Sequence, residues 1–157
     1  MTTEQSITNK TSGQTVILGS DHAGVGLKKS IANLLGKLGW QVQDVGAYDQ
    51  QAVDYPDVAK SLVEKVLSVQ TMGVLICGSG IGMSMAANRY KGIRAALCHD
   101  VTSTRLSRQH NNANVLVLGA RLLGEDTALD MVEVFFTTPA DNGERHQRRI
   151  AKMDEIG

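Results

Sequence analysis

The stretch Gly73-Val-Leu-Ile-Cys-Gly-Ser-Gly-Ile-Gly-Met-Ser-Met-Ala-Ala-Asn88 decides the fold. Its first five residues, Gly73 to Cys77, are small or apolar without a break, as expected of a strand buried on both faces. The loop Gly78-Ser79-Gly80-Ile81-Gly82 follows, with three glycines in five residues, and runs into a helix of small residues from Met83 to Asn88. Strand, glycine loop and helix make one βα unit.

The same alternation extends both ways. Towards the N-terminus, Val58, Leu62, Val66 and Val69 form a helical stripe, and Gln41 to Val45 reads as a strand with polar outward positions. Leu27, Ile31, Leu34, Leu35 and Leu38 are spaced as one face of an amphipathic helix stopped by Gly39. Thr15 to Ser20 (TVILGS) is another buried strand. Towards the C-terminus come strands at Ile93–Cys98 and Val115–Gly119, separated by a helix from about Val101 to Gln109. Ala128, Met131, Val132, Phe135 and Phe136 mark a further helix, and the charged segment Asn142 to Ile156 reads as a last one. Apolar strands alternating with helices imply right-handed βαβ crossovers. The expected fold is α/β, a three-layer αβα, Rossmann-like, doubly wound parallel sheet of about five strands.

A chain of 157 residues suits one domain, here 14–157 with a helical tail, and needs no disulfide or metal staple. Residues 1–13 are polar, lack the apolar stretch of a signal peptide and are expected to be a disordered leader. Sixteen basic and sixteen acidic residues cancel, and aromatics make up 4% of the chain. Neither a global field nor a stacking surface points to nucleic acid. No apolar run approaches the ~18 residues of a membrane span. The two cysteines, Cys77 and Cys98, form no C-x-x-C pair, so the chain reads as cytoplasmic with reduced thiols.

Ligands of such sheets bind beyond the carboxyl ends of the strands. Asp21, His22, Ala23 and Gly24 follow the first strand, Cys77 and the glycine loop the third, His99 and Asp100 the fourth, and Arg121 the fifth. The helix before the fifth strand ends in Ser107-Arg108-Gln109-His110-Asn111, and all these groups are expected on one rim. The glycine loop is either a cradle of backbone N–H groups for an anion or a tight turn without a ligand. Cys77 is either a small buried hydrophobe or, just before a helix N-terminus that favours thiolate, a base. His22 and His110 are each open to a purely structural reading. A dinucleotide site is disfavoured, because the first strand is followed by Gly19-Ser-Asp-His-Ala-Gly-Val-Gly26, with a bulky Asp-His pair where a pyrophosphate needs bare backbone. No H-x-x-x-H or C-x-x-C spacing suggests a metal. Arg145 and Arg149, four apart on one helix face, could fork onto one phosphate.

Four motifs occurring together and in order, GSDHAG (19–24), ICGSGIGMSMAAN (76–88), SRQHNNANVLVLGAR (107–121) and GERHQRRI (143–150), resemble the type B ribose-5-phosphate isomerases and the related galactose-6-phosphate isomerase subunits. The resemblance runs from about Val16 to the C-terminus. It implies a Rossmann-like enzyme without metal or organic cofactor, a homodimer or tetramer whose sites combine residues of two subunits. It implies conversion of ribose 5-phosphate to ribulose 5-phosphate, a pentose phosphate pathway step, through an enediolate. By the same resemblance Cys77 is the base, Gly78, Ser79, Gly80, Ile81 and Gly82 cradle the enediolate oxygens, and His110 donates the proton that opens the furanose. Asn111, Asp21 and His22 hold hydroxyls or the phosphate end, and Arg121, Arg145 and Arg149 bind phosphate. Ser79 stands where many members have threonine, which keeps the hydroxyl. His99 and Asp100 receive no role. Relatives act on galactose 6-phosphate, allose 6-phosphate and erythrulose 4-phosphate, and the segment 46–56 is the expected place of that choice. The alternative of another class is a non-catalytic module that binds a nucleotide or sugar phosphate.

Overall fold

The computed structural model describes residues 13–157. The expectation of a disordered leader falls on residues that lie, but for Gly13, outside those described. Five strands, β1 (Thr15–Ser20), β2 (Gln41–Asp44), β3 (Gly73–Cys77), β4 (Ala95–Leu97) and β5 (Val115–Gly119), form one sheet in the order β2-β1-β3-β5-β4, with every pairing parallel. Six helices connect and flank them: α1 (Val25–Lys37), α2 (Tyr55–Val69), α3 (Ile81–Ala87), α4 (Val101–Asn111), α5 (Glu125–Thr137) and α6 (Glu144–Asp154). The expected doubly wound α/β fold is therefore the observed one.

The layers follow from the two-residue period of the strands. Val16, Leu18, Val74, Ile76, Leu116 and Leu118 face one side, where Ile31 and Leu35 of α1 and Met131, Val132 and Phe135 of α5 cover them. Ile17, Leu75, Cys77, Val115 and Val117 face the other side, under Val58, Leu62 and Val66 of α2 and Met83 and Ala87 of α3. The expected stripes are the buried faces, apart from Val69, which is half exposed at the end of α2. The sheet order reverses beside β1: the chain leaves β1 for β2 on one side and β3 joins on the other. The crevice beyond the carboxyl ends of β1 and β3 is thus the switch point where such folds place ligands.

Edge strand β4 is shorter than the expected Ile93–Cys98. One side-chain amide takes a backbone group that a longer ladder would use, and a second binds the first residue of the strand. Asn114 Oδ1 accepts from Arg94 N–H at 2.8 Å, and Asn88 accepts from Ala95 N–H (2.8 Å) and donates to Ala95 C=O (2.9 Å). Asp100, unassigned from sequence, caps α4. Its carboxylate accepts from Ser103 N–H at 2.7 Å, and this backbone hydrogen bond chiefly holds its carboxyl below the usual carboxylate range. No helix among the described residues is long and apolar enough to cross a membrane.

Candidate active site

Three strand ends build the site at the switch point. The backbone N–H of Asp21, the first residue after β1, donates to Ile76 C=O at 3.0 Å, so β1 and β3 stay paired to their last residues. Asp21 then turns the chain: its carboxylate accepts from Ala23 N–H at 2.9 Å and caps the 3-10 turn His22–Gly24. Gly24 is required there, since a Cβ would lie 2.7 Å from the Ile76 side chain. His22 is half buried, and its Nδ1, closed off from solvent, has no hydrogen-bond partner among the described residues.

Cys77 ends β3 with its side chain 5% exposed residue-wide, on the α2/α3 side of the sheet. The N–H of Gly80 points at its sulfur, 3.1 Å away. That contact needs the left-handed Gly80 (φ 78°), packed where a Cβ would meet Leu97 at 2.6 Å. Ser79 Oγ accepts from Ile81 N–H at 3.2 Å, and α3 begins at Ile81, two residues before the expected Met83. The N–H groups of Gly78 and Ser79 have no protein acceptor among the described residues. β5 holds the other wall: Ala120 N–H donates to Cys77 C=O (2.8 Å) and Arg121 N–H to Gly78 C=O (3.0 Å). The Arg121 guanidinium lies directly over Gly78, where a Cβ would meet its Nη1 at 3.3 Å. A thiol, free amides and a cation thus converge on one small anion-favouring space.

The loop after β2 borders the same edge. Ala47 N–H donates to Ser20 C=O, and Ser20 N–H donates to Gly46 C=O at 2.6 Å. Lys28, fully buried in α1, fixes this loop through Asp44 Oδ1 (2.7 Å) and Ala47 C=O. The tyrosine ring of Tyr55 covers Gly82, where a Cβ would lie 2.6 Å from it. Nothing in the local spacing of Lys28 or Tyr55 marks a contact with a segment distant in the chain, so sequence alone assigns neither a role.

One expectation is corrected. His110 and Asn111 do not share this rim within one chain. α4 links two parallel strands, so it must carry the chain from the carboxyl end of β4 back to the amino end of β5. Its last turn, with exposed His110 and Asn111, lies at the amino edge. β5 alone sets the two edges about 13 Å apart at ~3.3 Å per residue. The tail stays with that edge: Asp141 N–H donates to Gln109 C=O (2.9 Å), and Asp154 of α6 pairs with Arg94, just before β4, at 3.1 Å. Arg145 and Arg149 are exposed on the same α6, away from their own Cys77. Cys98, by contrast, is buried past β4, where burial pushes its thiol up, partly offset by the hydroxyls of Thr104, Ser103 and Ser107. Among the described residues no group of three or more His, Cys, Asp or Glu is placed to hold a metal ion.

A doubly wound α/β domain with a thiol over a glycine loop at its switch point defines the class of protein. Residues 16–153 match the Ribose/Galactose Isomerase family, and the chain belongs to that family. It is similar to the Escherichia coli protein named ribose-5-phosphate isomerase B, 38% identical over 142 residues covering 90% of this chain and 95% of that one. A Bacillus subtilis relative, 42% identical over 89% of this chain and 95% of its own length, is named as a sugar phosphate isomerase without a stated sugar. Among solved structures, a Thermotoga maritima ribose 5-phosphate isomerase superposes with a TM-score of 0.86 at 52% identity, covering 91% of this chain and 99% of that one. One from Clostridium thermocellum gives 0.88 at 44% identity, covering 91% and 97%. The chain is an aldose–ketose isomerase of the sugar phosphate isomerases.

Proposed function

We propose that the substrate is ribose 5-phosphate, converted to ribulose 5-phosphate with Cys77 as the base. The observation that carries this reading is the Gly80 N–H aimed at Cys77 Sγ, 3.1 Å away, beside the free amides of Gly78 and Ser79. In the open-chain sugar, the Cys77 thiolate takes the proton from C2. The electron pair forms the C1=C2 bond, and the former carbonyl pair moves to O1, giving an enediolate. Preorganised N–H donors belong where that charge develops. Cys77 returns the proton to C1 while the O2 proton passes to O1, so that the hydroxyl forms at C1 and the ketone at C2. Arg121 neutralises charge above the loop, and Asp21 and His22 face the substrate from β1.

His110, Asn111, Arg145 and Arg149 then come from a second copy of the chain, a reading supported by their place at the opposite edge. His110 opens the furanose and the two arginines grip the phosphate, so binding energy at the remote end aligns the reacting carbon. The functional unit is a homodimer, or a tetramer of such pairs, and the two reduced thiols suit the cytoplasm. The loop 46–56, which lines a cleft with Val45, Asp57, Val58 and Ser61, sets the length of sugar accepted. A second reading keeps the chemistry and changes the sugar, since the Bacillus subtilis relative is named without one. Assays of aldose–ketose conversion on C4, C5 and C6 sugar phosphates decide between them. Ribose 5-phosphate should give the highest kcat/KM. A clear preference for a C4 or C6 phosphate would overturn the assignment.

A further inference from the structure

His110 does not stand alone at the amino edge. The ring of His146, from the first turn of α6, lies flat against it, with centroids 4.5 Å apart and planes 6° from parallel. The two rings differ in surroundings. His110 is exposed, while His146 is 9% exposed. A buried ring under an exposed one acts as a platform. The platform is itself fixed. His146 Nε2 lies 3.7 Å from Asp141 Oδ2, and Asp141 binds three further points. Its N–H donates to Gln109 C=O (2.9 Å), its Oδ1 accepts from Gly143 N–H (2.8 Å), and its C=O accepts from Gln147 Nε2 (3.0 Å). His146 N–H in turn donates to Gly143 C=O at 3.0 Å. The turn 141–147 therefore ties the base of His146 to the residue preceding His110.

We propose that His146 is the positioning residue for His110: it holds the imidazole plane by stacking, so that a ring nitrogen points edge-on at the sugar ring oxygen. This rests on the reading of His110 as the acid that opens the furanose. An exposed histidine side chain otherwise samples several rotamers, and a misplaced acid loses much of the roughly 10²–10⁴-fold that proton transfer contributes. Stacking restricts the plane while leaving both nitrogens at the free edge, which a hydrogen bond from below would not do.

The test separates ring opening from proton abstraction. Ribose 5-phosphate is a furanose in solution and must be opened, whereas ribulose 5-phosphate is acyclic, because its O5 carries the phosphate. Two rates are measured for each variant: aldose-to-ketose conversion of ribose 5-phosphate, and exchange of the C1 hydrogen of ribulose 5-phosphate with D₂O. His146→Ala should slow the first at least about tenfold and leave the second close to wild type. His146→Phe, which keeps a flat ring, should recover most of the first rate. The idea is overturned if His146→Ala leaves conversion near wild type, lowers both rates in proportion, or is not rescued by phenylalanine. His110→Ala is the control for the parent reading. If it spares conversion, His110 is not the acid; if it is selectively impaired and His146→Ala is not, only the platform role fails.

Discussion

Cys77 and His110 lie at opposite edges of the sheet: Cys77 closes β3 in register with Gly119, and His110 sits in the last turn of the helix that leads back to Val115. If both act on one sugar, each site draws them from different subunits. A Cys77→Ala subunit paired with a His110→Ala subunit then has one intact site and one doubly defective site. Random mixing of the two inactive variants should restore roughly a quarter of wild-type turnover, as two-fold symmetry dictates. No recovery in demonstrably mixed dimers, or a monomer in sedimentation, rejects the shared site.

Glycine loops are often credited with flexibility, but Gly80 is a steric requirement. It has φ 78°, and a Cβ would meet Leu97 at 2.6 Å and the Leu118–Gly119 backbone at 3.1–3.2 Å. Gly80→Ala should cost about 1–3 kcal/mol or more in urea unfolding and misplace the N–H on Cys77 Sγ. Gly36, exposed in α1 with open space around it, is the comparison. Gly36→Ala should stabilise by about 0.5–1 kcal/mol, because helical alanine has less chain entropy to lose.

The strands and their order of appearance were legible because buried parallel strands are uninterrupted apolar runs. TVILGS, GVLIC and VLVLG coincide with β1, β3 and β5 to the residue. β4 starts later than the apolar run because Asn114 takes the Arg94 N–H in place of a ladder partner, and sequence periodicity contains no such side-chain substitution. At the site, the groups after β1, β3 and β5 meet as expected. The grouping of His110 with them failed for a topological reason: a helix between parallel strands always ends at the amino edge. The stack of His146 on His110 depends on α6 docking against α4, and its motif reads locally as a solvated arginine-rich face.

Cys98 should be chemically quiet at neutral pH. Burial raises its pKa above the ordinary thiol value, so the thiolate forms only at higher pH than for a free cysteine. In the native protein its alkylation by iodoacetamide should be slow at neutrality and accelerate only in the alkaline range. Cys98→Ser should keep near wild-type turnover. Mass-spectrometric labelling against pH checks the first statement, and fast neutral labelling at Cys98 would refute it.

Lys28 links α1 to the loop that borders the site, through Asp44 and the Ala47 carbonyl, with its ammonium 5.3 Å from the Tyr48 ring. Lys28→Met keeps most of the volume and removes the charge and its donors. Asp44 is 39% exposed at its side chain and can turn to water, so the loss should be about 1–3 kcal/mol rather than a collapse. The loosened loop should raise KM for the sugar more than it lowers kcat. Equal losses in stability with unchanged KM would show that the loop does not meet the substrate.

Replacing Cys77 tests the chemistry most directly. Serine nearly preserves the size of the side chain and can still accept the Gly80 N–H that now points at the sulfur. What it cannot do is ionise near neutrality, so the proton at C2 loses its acceptor while the amides, Arg121 and the glycine loop stay in place. Turnover of ribose 5-phosphate should fall by roughly two to four orders of magnitude, a transition-state loss of about 3–5 kcal/mol. Affinity for a non-reactive sugar phosphate should change little, because the groups that grip the phosphate do not touch the thiol's role. The contrast with Gly78→Ala sharpens the test. There the new Cβ presses on the Arg121 guanidinium at 3.3–3.4 Å, and the expected defect is in binding. The measurements are exchange of the C2 hydrogen with D₂O during turnover and equilibrium binding of the inert analogue. A Cys77→Ser protein that exchanges at near the wild-type rate would place the base on another residue.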